Sequence, residues 1–328
     1  MKVSEVNEVV TAKVLEALGN GVLPWSQPWH SGLPTSLSTG KPYRGINTML
    51  LGLTAMAKGY SSPYWGTFGQ IAKLSGFTET PRASGKGAWW APPLDDPERR
   101  ILLPEQNGTK VYLWKLSKRA DPDSPHDRDK DHVYLFARVY TVFNYDQCAS
   151  LPDKYAGGLT GAHAEAIPEA QAVFDAYIAE RGPELRFGSM AYYEHSKTAG
   201  VDRITIPPLE AYPGKLTGEY ESTNFHEAAH STGHSKRLNR PGFDEYTSRS
   251  PDTYAREELI AEMTSAMLCA YLGIDAPFDN SAAYLAGWAR KIASEDEKNL
   301  ITTAARQAQK AFDYILGTTY DNDGDDDK

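Results

Sequence analysis

The residues best equipped for chemistry are His226-Glu227-Ala228-Ala229-His230. Two histidines four apart on a helix lie one turn apart on the same face. Both imidazoles can then reach one Zn2+ at about 2.0–2.1 Å. The glutamate after the first histidine points beside such an ion, not at it. There it can take a proton from a water that the metal activates. The segment therefore predicts a metal-dependent hydrolytic centre with His226 and His230 as ligands and Glu227 as catalytic base, provided that a third protein ligand exists.

Three candidates for that ligand follow in the sequence. The metzincin spacing H-E-x-x-H-x-x-G-x-x-H runs through Gly233 but meets Lys236 where its third histidine belongs, so that pattern fails. His234 is close, but Gly233 is expected to end the helix and turn it away, which leaves it a supporting or structural role. The third candidate is the pair Glu258 and Glu262 on a predicted helix over 253–272. There Leu259, Ile260, Met263, Ala266, Met267 and Ala270 keep a helical period and mark a buried face. The two glutamates are four apart and flank that face. In the gluzincin arrangement a ligand glutamate sits on a second helix. An acid four residues later accepts a hydrogen bond from a ligand histidine and fixes its tautomer. Glu258 is assigned as ligand and Glu262 as its support, although the reverse assignment satisfies the same spacing. Tyr220, Tyr254, Tyr193 and His195 are candidates to stabilise an oxyanion.

These side chains need a scaffold. Ser222 or Thr223 is expected to cap the site helix and Gly233 to close it. A strand near Arg203–Ile206, just upstream, is a candidate edge against which an extended peptide could pair. The chain has 328 residues, more than one hydrophobic core usually serves, so two domains are expected. The pattern is α+β. In the first half, helices are predicted over 3–18, 47–58 and 67–75, and strands over 87–90, 110–116 and 133–144. In the second, a helix over 168–181 and strands over 185–187, 191–194 and 203–206 precede the site helix, and the rest to about Leu316 is helical. The expected division is a first domain over 1–150, a Gly/Pro-rich linker over 151–161, a metal-site domain over 162–316 and an acidic tail over 317–328. The stretch Arg119–His132 reads as a solvated hairpin insertion.

Charge divides the chain at the same place. Residues 1–150 hold 17 Lys+Arg against 14 Asp+Glu, and residues 151–328 hold 17 against 29. No apolar run approaches the roughly 20 residues needed to cross a bilayer, and the amphipathic, glutamate-bearing N-terminus is not a signal peptide. Only Cys148 and Cys269 occur, which argues against a disulfide framework and for a cytoplasmic protein. Six of the seven tryptophans lie in the first 114 residues. Trp25, Trp29, Lys41, Tyr43, Arg44, Asn47, Trp65, Lys86, Trp89 and Trp90 combine ring faces with basic and polar groups. Aromatics stack bases while Lys and Arg follow phosphates, a combination suited to single-stranded DNA. The competing reading is that the tryptophans fill a small core.

The pattern as a whole resembles the ArdC family of plasmid-borne antirestriction proteins, to which TraC-type primases are related. In the first half the resemblance rests on PWSQPW, YRGINTMLL, YWGTFGQIAKLSG, the GKG step before Trp89, and VFNYDQC. In the second it rests on AYY at 191–193, DRITIPP at 202–208, NFHEAAHSTGHSKRLNR at 224–240 and YAREELIAEMTSAMLCAYLGI at 254–274. Ala228-Ala229 departs from the bulkier residue expected inside the family motif. The resemblance implies an N-terminal domain that binds single-stranded DNA and a C-terminal zincin-like metallopeptidase domain. It also implies a role in shielding incoming plasmid DNA from host restriction. The expected cofactor is Zn2+, with Mn2+ as the alternative. The expected partners are single-stranded DNA and a protein substrate from the host restriction apparatus, with no membrane partner and a monomeric chain. A protein that coats DNA and carries a structural or vestigial metal site is the competing reading.

Overall fold

A computed structural model of the chain describes residues 2–24, 32–82, 88–119, 132–156, 166–196, 198–212, 218–243, 251–274, 282–293 and 299–318. Most of the expected insertion between Arg119 and His132, half of the expected linker, and the tail beyond residue 318 lie outside these residues. The first half contains α1 (Val3–Gly19), β1 (Thr35–Ser36), α2 (Ile46–Lys58), β2 (Tyr64–Thr67), α3 (Phe68–Leu74), β3 (Thr78–Pro81), β4 (Ala88–Ala91), β5 (Thr109–Arg119) and β6 (His132–Asn144). The second contains α4 (Ala166–Glu180), β7 (Glu184–Phe187), β8 (Tyr192–Ser196), β9 (Val201–Ile206), α5 (Glu219–Thr232), α6 (Pro251–Tyr271), α7 (Ala282–Ala293) and α8 (Leu300–Leu316). The α+β reading holds, and each half has its own sheet.

Local sequence explains these elements. In α1, Val6, Val10, Val14 and Leu18 recur every fourth residue and are all buried, the stripe of an amphipathic helix. α3 opens with a capping box: the Thr67 hydroxyl accepts from the Gln70 N–H, and the Gln70 side chain accepts from the Thr67 N–H. The expected cap of α5 is corrected. Its N-cap is Gly218, at φ +103°, and the helix begins at Glu219. Thr223 lies just past the first turn, where its hydroxyl donates back to the Glu219 carbonyl at 2.8 Å. Ser222 lies against Ser265 of α6 at 3.2 Å.

The first half holds a four-stranded sheet, β1-β2-β6-β5, and a two-stranded one, β3-β4, and the second-half sheet runs β7-β9-β8. The second-half order corrects the expected edge. β9 is the middle strand, parallel to β7 on one side and antiparallel to β8 on the other. Its backbone is thus paired on both sides, and the edge strand beside the site is β8. β5 and β6 form a long antiparallel ribbon. β2 pairs with β6 only at Val142–Asn144, whereas the β5–β6 ladder continues out to Arg119↔His132.

One apolar core runs through both halves. Val6, Val10, Val14, Ile46, Met49 and Leu50 belong to the same buried cluster as Phe225, Leu259, Met263, Ile301 and Phe312. Each fully buried aliphatic or aromatic side chain in it contributes on the order of 1.5–3 kcal/mol. Polar ties cross the same seam. Arg44 pairs with Asp313, the Gly45 N–H donates to Gln309 at 2.8 Å, and the Thr302 hydroxyl donates to Asn7 at 2.8 Å. Cys148 and Cys269 are both free. Among the described residues, no helix is long and apolar enough to cross a membrane.

Candidate metal centre

α5 and α6 pack directly against each other, and small residues allow the approach. Ala228, Ala229 and Ala261 are all fully buried, and the Ser265 hydroxyl donates to the Ser222 carbonyl at 2.8 Å. The two alanines inside the histidine motif are thus packing residues, and bulkier side chains there would push neighbouring elements away. Across this seam His226 and His230 of α5 meet Glu258 of α6.

The distances fit a metal. The two Nε2 atoms stand 3.0 Å apart. The Glu258 carboxylate lies 3.4 Å from His226 Nε2 and 3.7 Å from His230 Nε2. Ligand atoms about 2.0–2.1 Å from a tetrahedral centre stand roughly 3.3–3.4 Å from one another. This trio is the one group of His, Cys, Asp or Glu with such spacing among the described residues. Two imidazoles and a carboxylate form a donor set suited to a divalent ion.

Electrostatics agree with that geometry. Burial would raise the Glu258 carboxyl, but the hydrogen bond from His226, the charges of both histidines and a hydrogen bond from Tyr254 bring it down to about 2. Burial would lower His230, yet its hydrogen bond to Glu257 and the neighbouring carboxylates leave it raised. Glu227 is buried at 7% exposure. That burial raises its carboxyl, with Glu258 adding to the shift, and outweighs both histidines and a hydrogen bond from the Tyr193 backbone N–H. A carboxyl shifted toward neutrality beside two candidate ligand histidines has the character of a proton-transfer group. The Tyr193 contact also sets edge strand β8 against the base.

Sequence reasoning missed Glu257. Its Oε1 lies 3.3 Å from His230 Nδ1, so the ring's other nitrogen, Nε2, faces Glu258 and His226. The carboxylate beside a ligand histidine is therefore the residue just before Glu258. Glu262 lies one turn further along α6 and is half-buried. His234 is also outside the trio. It is buried, accepts a hydrogen bond from the Lys236 N–H at 3.1 Å and meets the His195 ring edge-on at 5.4 Å.

The three tyrosines separate. Tyr193 has its hydroxyl engaged, donating to Asp202 at 2.7 Å and accepting from Arg237 at 3.1 Å. Tyr220 is buried in the core, its ring edge-on to Tyr212 at 5.4 Å. Tyr254 is the one that reaches the trio, through Glu258.

The loop after α5 braces the site. Arg237 donates to the Ser231 carbonyl at 2.6 Å and pairs in a fork with Asp202 of β9. Arg240 donates to the Ala229 carbonyl at 2.9 Å and pairs with Glu257 at 3.1 Å. Both arginines thus satisfy late carbonyls of the helix. Gly233 ends α5 as expected, but not through a left-handed backbone, since its φ is −67°. A Cβ there would lie 2.2 Å from the Phe243 ring. Gly233→Ala is therefore expected to cost about 1–3 kcal/mol through overpacking, read as a lowered melting temperature. An unchanged melting temperature would mean that Phe243 moves aside freely.

The expected DNA-contacting residues fare differently. Trp65 is 0% exposed, packed with Leu51, Ala55, Val111 and Val142, so it offers no face to a base. Asn47 pairs through its side chain with both backbone groups of Tyr112, at 2.8 Å each. Arg44 pairs with Asp313. These three hold the fold together. Tyr43 packs at the edge of the Trp65 cluster, and Trp90 packs against the cluster around Ile71, with Lys73 6.0 Å from its ring. Lys41 is exposed. Trp25, Trp29, Lys86 and the Trp89 side chain lie outside the described residues.

Comparison with known proteins follows the same division. Residues 4–143 match the family described as the N-terminal domain of anti-restriction factor ArdC, and residues 169–307 match the zincin-like metallopeptidase family. The uncharacterized protein y4eC of Sinorhizobium fredii (strain NBRC 101917 / NGR234) is 30% identical over 325 residues, covering 95% of this chain and 92% of that one. A DNA primase TraC of Escherichia coli is 31% identical over 94% of this chain, which spans only 20% of the primase. Among solved structures, the metal-free antirestriction protein ArdC from plasmid R388 superposes with a TM-score of 0.68 at 32% identity, covering 96% of this chain and 99% of that one. Its Mn(II)-bound form superposes with a TM-score of 0.64 at 35% identity, covering 95% and 97%.

Proposed function

The chain belongs to the ArdC family of antirestriction proteins, and from that premise we propose that it is a metal-dependent peptidase that binds single-stranded DNA and protects incoming conjugative DNA from host restriction. The observation that carries the peptidase reading is the convergence of His226, His230 and Glu258 beside Glu227. A divalent ion held there supplies Lewis acidity toward water and a peptide carbonyl. Glu227 takes the proton from the attacking water and returns it to the leaving amine. Tyr254 is the tyrosine that reaches the trio, and on releasing its hydrogen bond to Glu258 its hydroxyl can donate to a developing oxyanion instead. An extended substrate adds to the edge of β8, whose Tyr193 backbone already touches the base. The His2Glu donor set favours Zn2+, and the Mn(II)-bound R388 protein makes Mn2+ the ion to compare with it. Peptide cleavage by the metal-loaded protein, abolished by chelation and restored by Zn2+ or Mn2+, is the test. A loaded protein that cleaves no peptide and no host restriction subunit, with or without single-stranded DNA, would overturn this reading.

The single-strand reading draws its support from the β5–β6 ribbon. In a chain of net charge −9, the two strands carry Lys110, Lys115, Lys118, Arg119 and Arg138 and no Asp or Glu. Leu113 pairs with Arg138, and Lys115 with Phe136. The Arg138 guanidinium lies 5.9 Å from the Tyr140 ring, and Leu113 is 40% exposed. Aromatic and basic side chains therefore alternate along strands that carry no acid of their own, the combination that suits single strands. Replacing Lys115 and Arg138 together by Gln is expected to weaken oligonucleotide binding about tenfold or more at low salt. It should also shrink the slope of log affinity against log salt by roughly 0.7 per lost phosphate contact. Fluorescence anisotropy across a salt series reads both. An unchanged slope would move the nucleic-acid surface off the ribbon.

A further inference from the structure

The loop after α5 returns to the helix because Asn239 takes a left-handed backbone, φ +46°, and the Arg240 N–H donates to the Gly233 carbonyl at 3.0 Å. That return carries the Arg240 side chain inward, where it is 2% exposed. One oxygen, Glu257 Oε1, stands 3.1 Å from Arg240 Nη2 and 3.3 Å from His230 Nδ1. The three groups form a buried line from guanidinium to carboxylate to imidazole, ending on the Nε2 that faces Glu258.

We propose that Arg240 is a positioning residue for the metal site: it holds the Glu257 carboxylate where that group accepts the Nδ1–H of His230, so that the histidine presents Nε2 to the metal. The inference rests on the reading of His226, His230 and Glu258 as ligands. A capping arginine alone does not explain the arrangement. A helix end can be capped from the surface, without taking a guanidinium out of water. Here Nη2 makes the contacts to Ala229, Thr232 and Glu257, while Nε and Nη1, although buried, have no hydrogen-bond partner among the described residues. Buried ion pairs of this kind are poor contributors to stability compared with apolar packing. What this one supplies is direction. Without Arg240, Glu257 keeps no guanidinium among the described residues to fix its plane, and the acceptor that sets the imidazole's tautomer and orientation is no longer held in place.

The test is a double-mutant cycle read by metal binding, not by activity. Arg240→Met, Glu257→Met and the double variant are purified metal-free. Zn2+ affinity is measured by competition with a chelating indicator, and the visible spectrum of the Co2+ form is recorded. Each single change is expected to lower Zn2+ affinity by about 10–100-fold and to shift the Co2+ bands. The double variant is expected to match Glu257→Met within about twofold, because Arg240 acts through Glu257. Arg240→Lys, which keeps the charge, is expected to recover part of the loss. If Arg240→Met does not fold, the double variant decides, since it buries no unpaired charge. Affinity equal to that of Glu257→Met supports the proposal, and a further loss overturns it. Wild-type affinity and spectrum in a folded Arg240→Met would also overturn it. A wild-type chain that takes up neither Zn2+ nor Co2+ would instead overturn the metal reading itself.

Discussion

Replacing Glu227 by Gln is expected to reduce peptide hydrolysis by about 10²- to 10⁴-fold with metal content unchanged. The amide is nearly isosteric and its oxygen can still accept the Tyr193 backbone N–H, which the carboxylate now does. It cannot take a proton from water. The side chain is buried and not among the ligand trio, so the change leaves the donor set intact. Cleavage assays and metal analysis on the same preparation read the two effects separately. The variant also separates chemistry from biology. If protection of incoming DNA survives while cleavage is lost, protection comes from coating the DNA and the peptidase serves another end. If both fall together, hydrolysis is the mechanism. Undiminished cleavage would remove Glu227 from the reaction.

The second large effect is expected at Glu258. Glu258→Ala should lose metal on dialysis, with a fall in affinity beyond the roughly 10–100-fold typical of supporting residues, while Glu262→Ala should retain it. Retention by the first and loss by the second would reverse the ligand assignment. The same carboxyl leaves a signature in the metal-free protein. Its pKa is held down to about 2 by the histidines and Tyr254 despite burial. A folded-state value below the ordinary carboxyl range of about 4.3 means stabilisation above that range, lost as the pH falls toward 2. The melting temperatures of metal-free wild type and Glu258→Ala should therefore differ at about pH 5 and converge near pH 2. A constant difference across that window would mean that Glu258 is not held ionised by its neighbours.

How much of this was legible depended on the type of signal. The helices over 3–19 and 46–58 and the long strands of the ribbon follow from periodicity and turn residues. The short β1, β2 and β3 do not, because two to four residues carry no period. The histidine motif and the choice of α6 were readable from spacing. The role of Glu257 was not. α6 was expected to have one buried face, yet Ala261, Thr264, Leu268 and Cys269 are as buried as Leu259 and Met263. Between Leu259 and Ala270 only Glu262 escapes full burial, so the sequence there shows no clear outer face and cannot say which of several glutamates looks inward. The order of the second-half sheet was hidden for a different reason. β7 and β8 lie on opposite sides of β9, and only the path of the connection between them decides that. Residue type misled at Trp65, Asn47 and Arg44. Aromatic, amide and guanidinium groups serve a buried core and a helix seam as readily as a nucleic acid, and composition does not distinguish the uses.

The apolar core that runs from α1 and α2 into α7 and α8 makes the chain one tool, not two cassettes. Both halves are expected to melt together, and a lesion in either would disarm the other. A cut near residue 150 would leave each fragment with a raw hydrophobic flank. The matches to the TraC primases take in 94% of this chain, so in those longer proteins too the pieces travel as a set. Engineering that seeks to borrow one of the two proposed activities would do better to transplant the whole and silence the unwanted half by a point change, at Glu227 or along the ribbon.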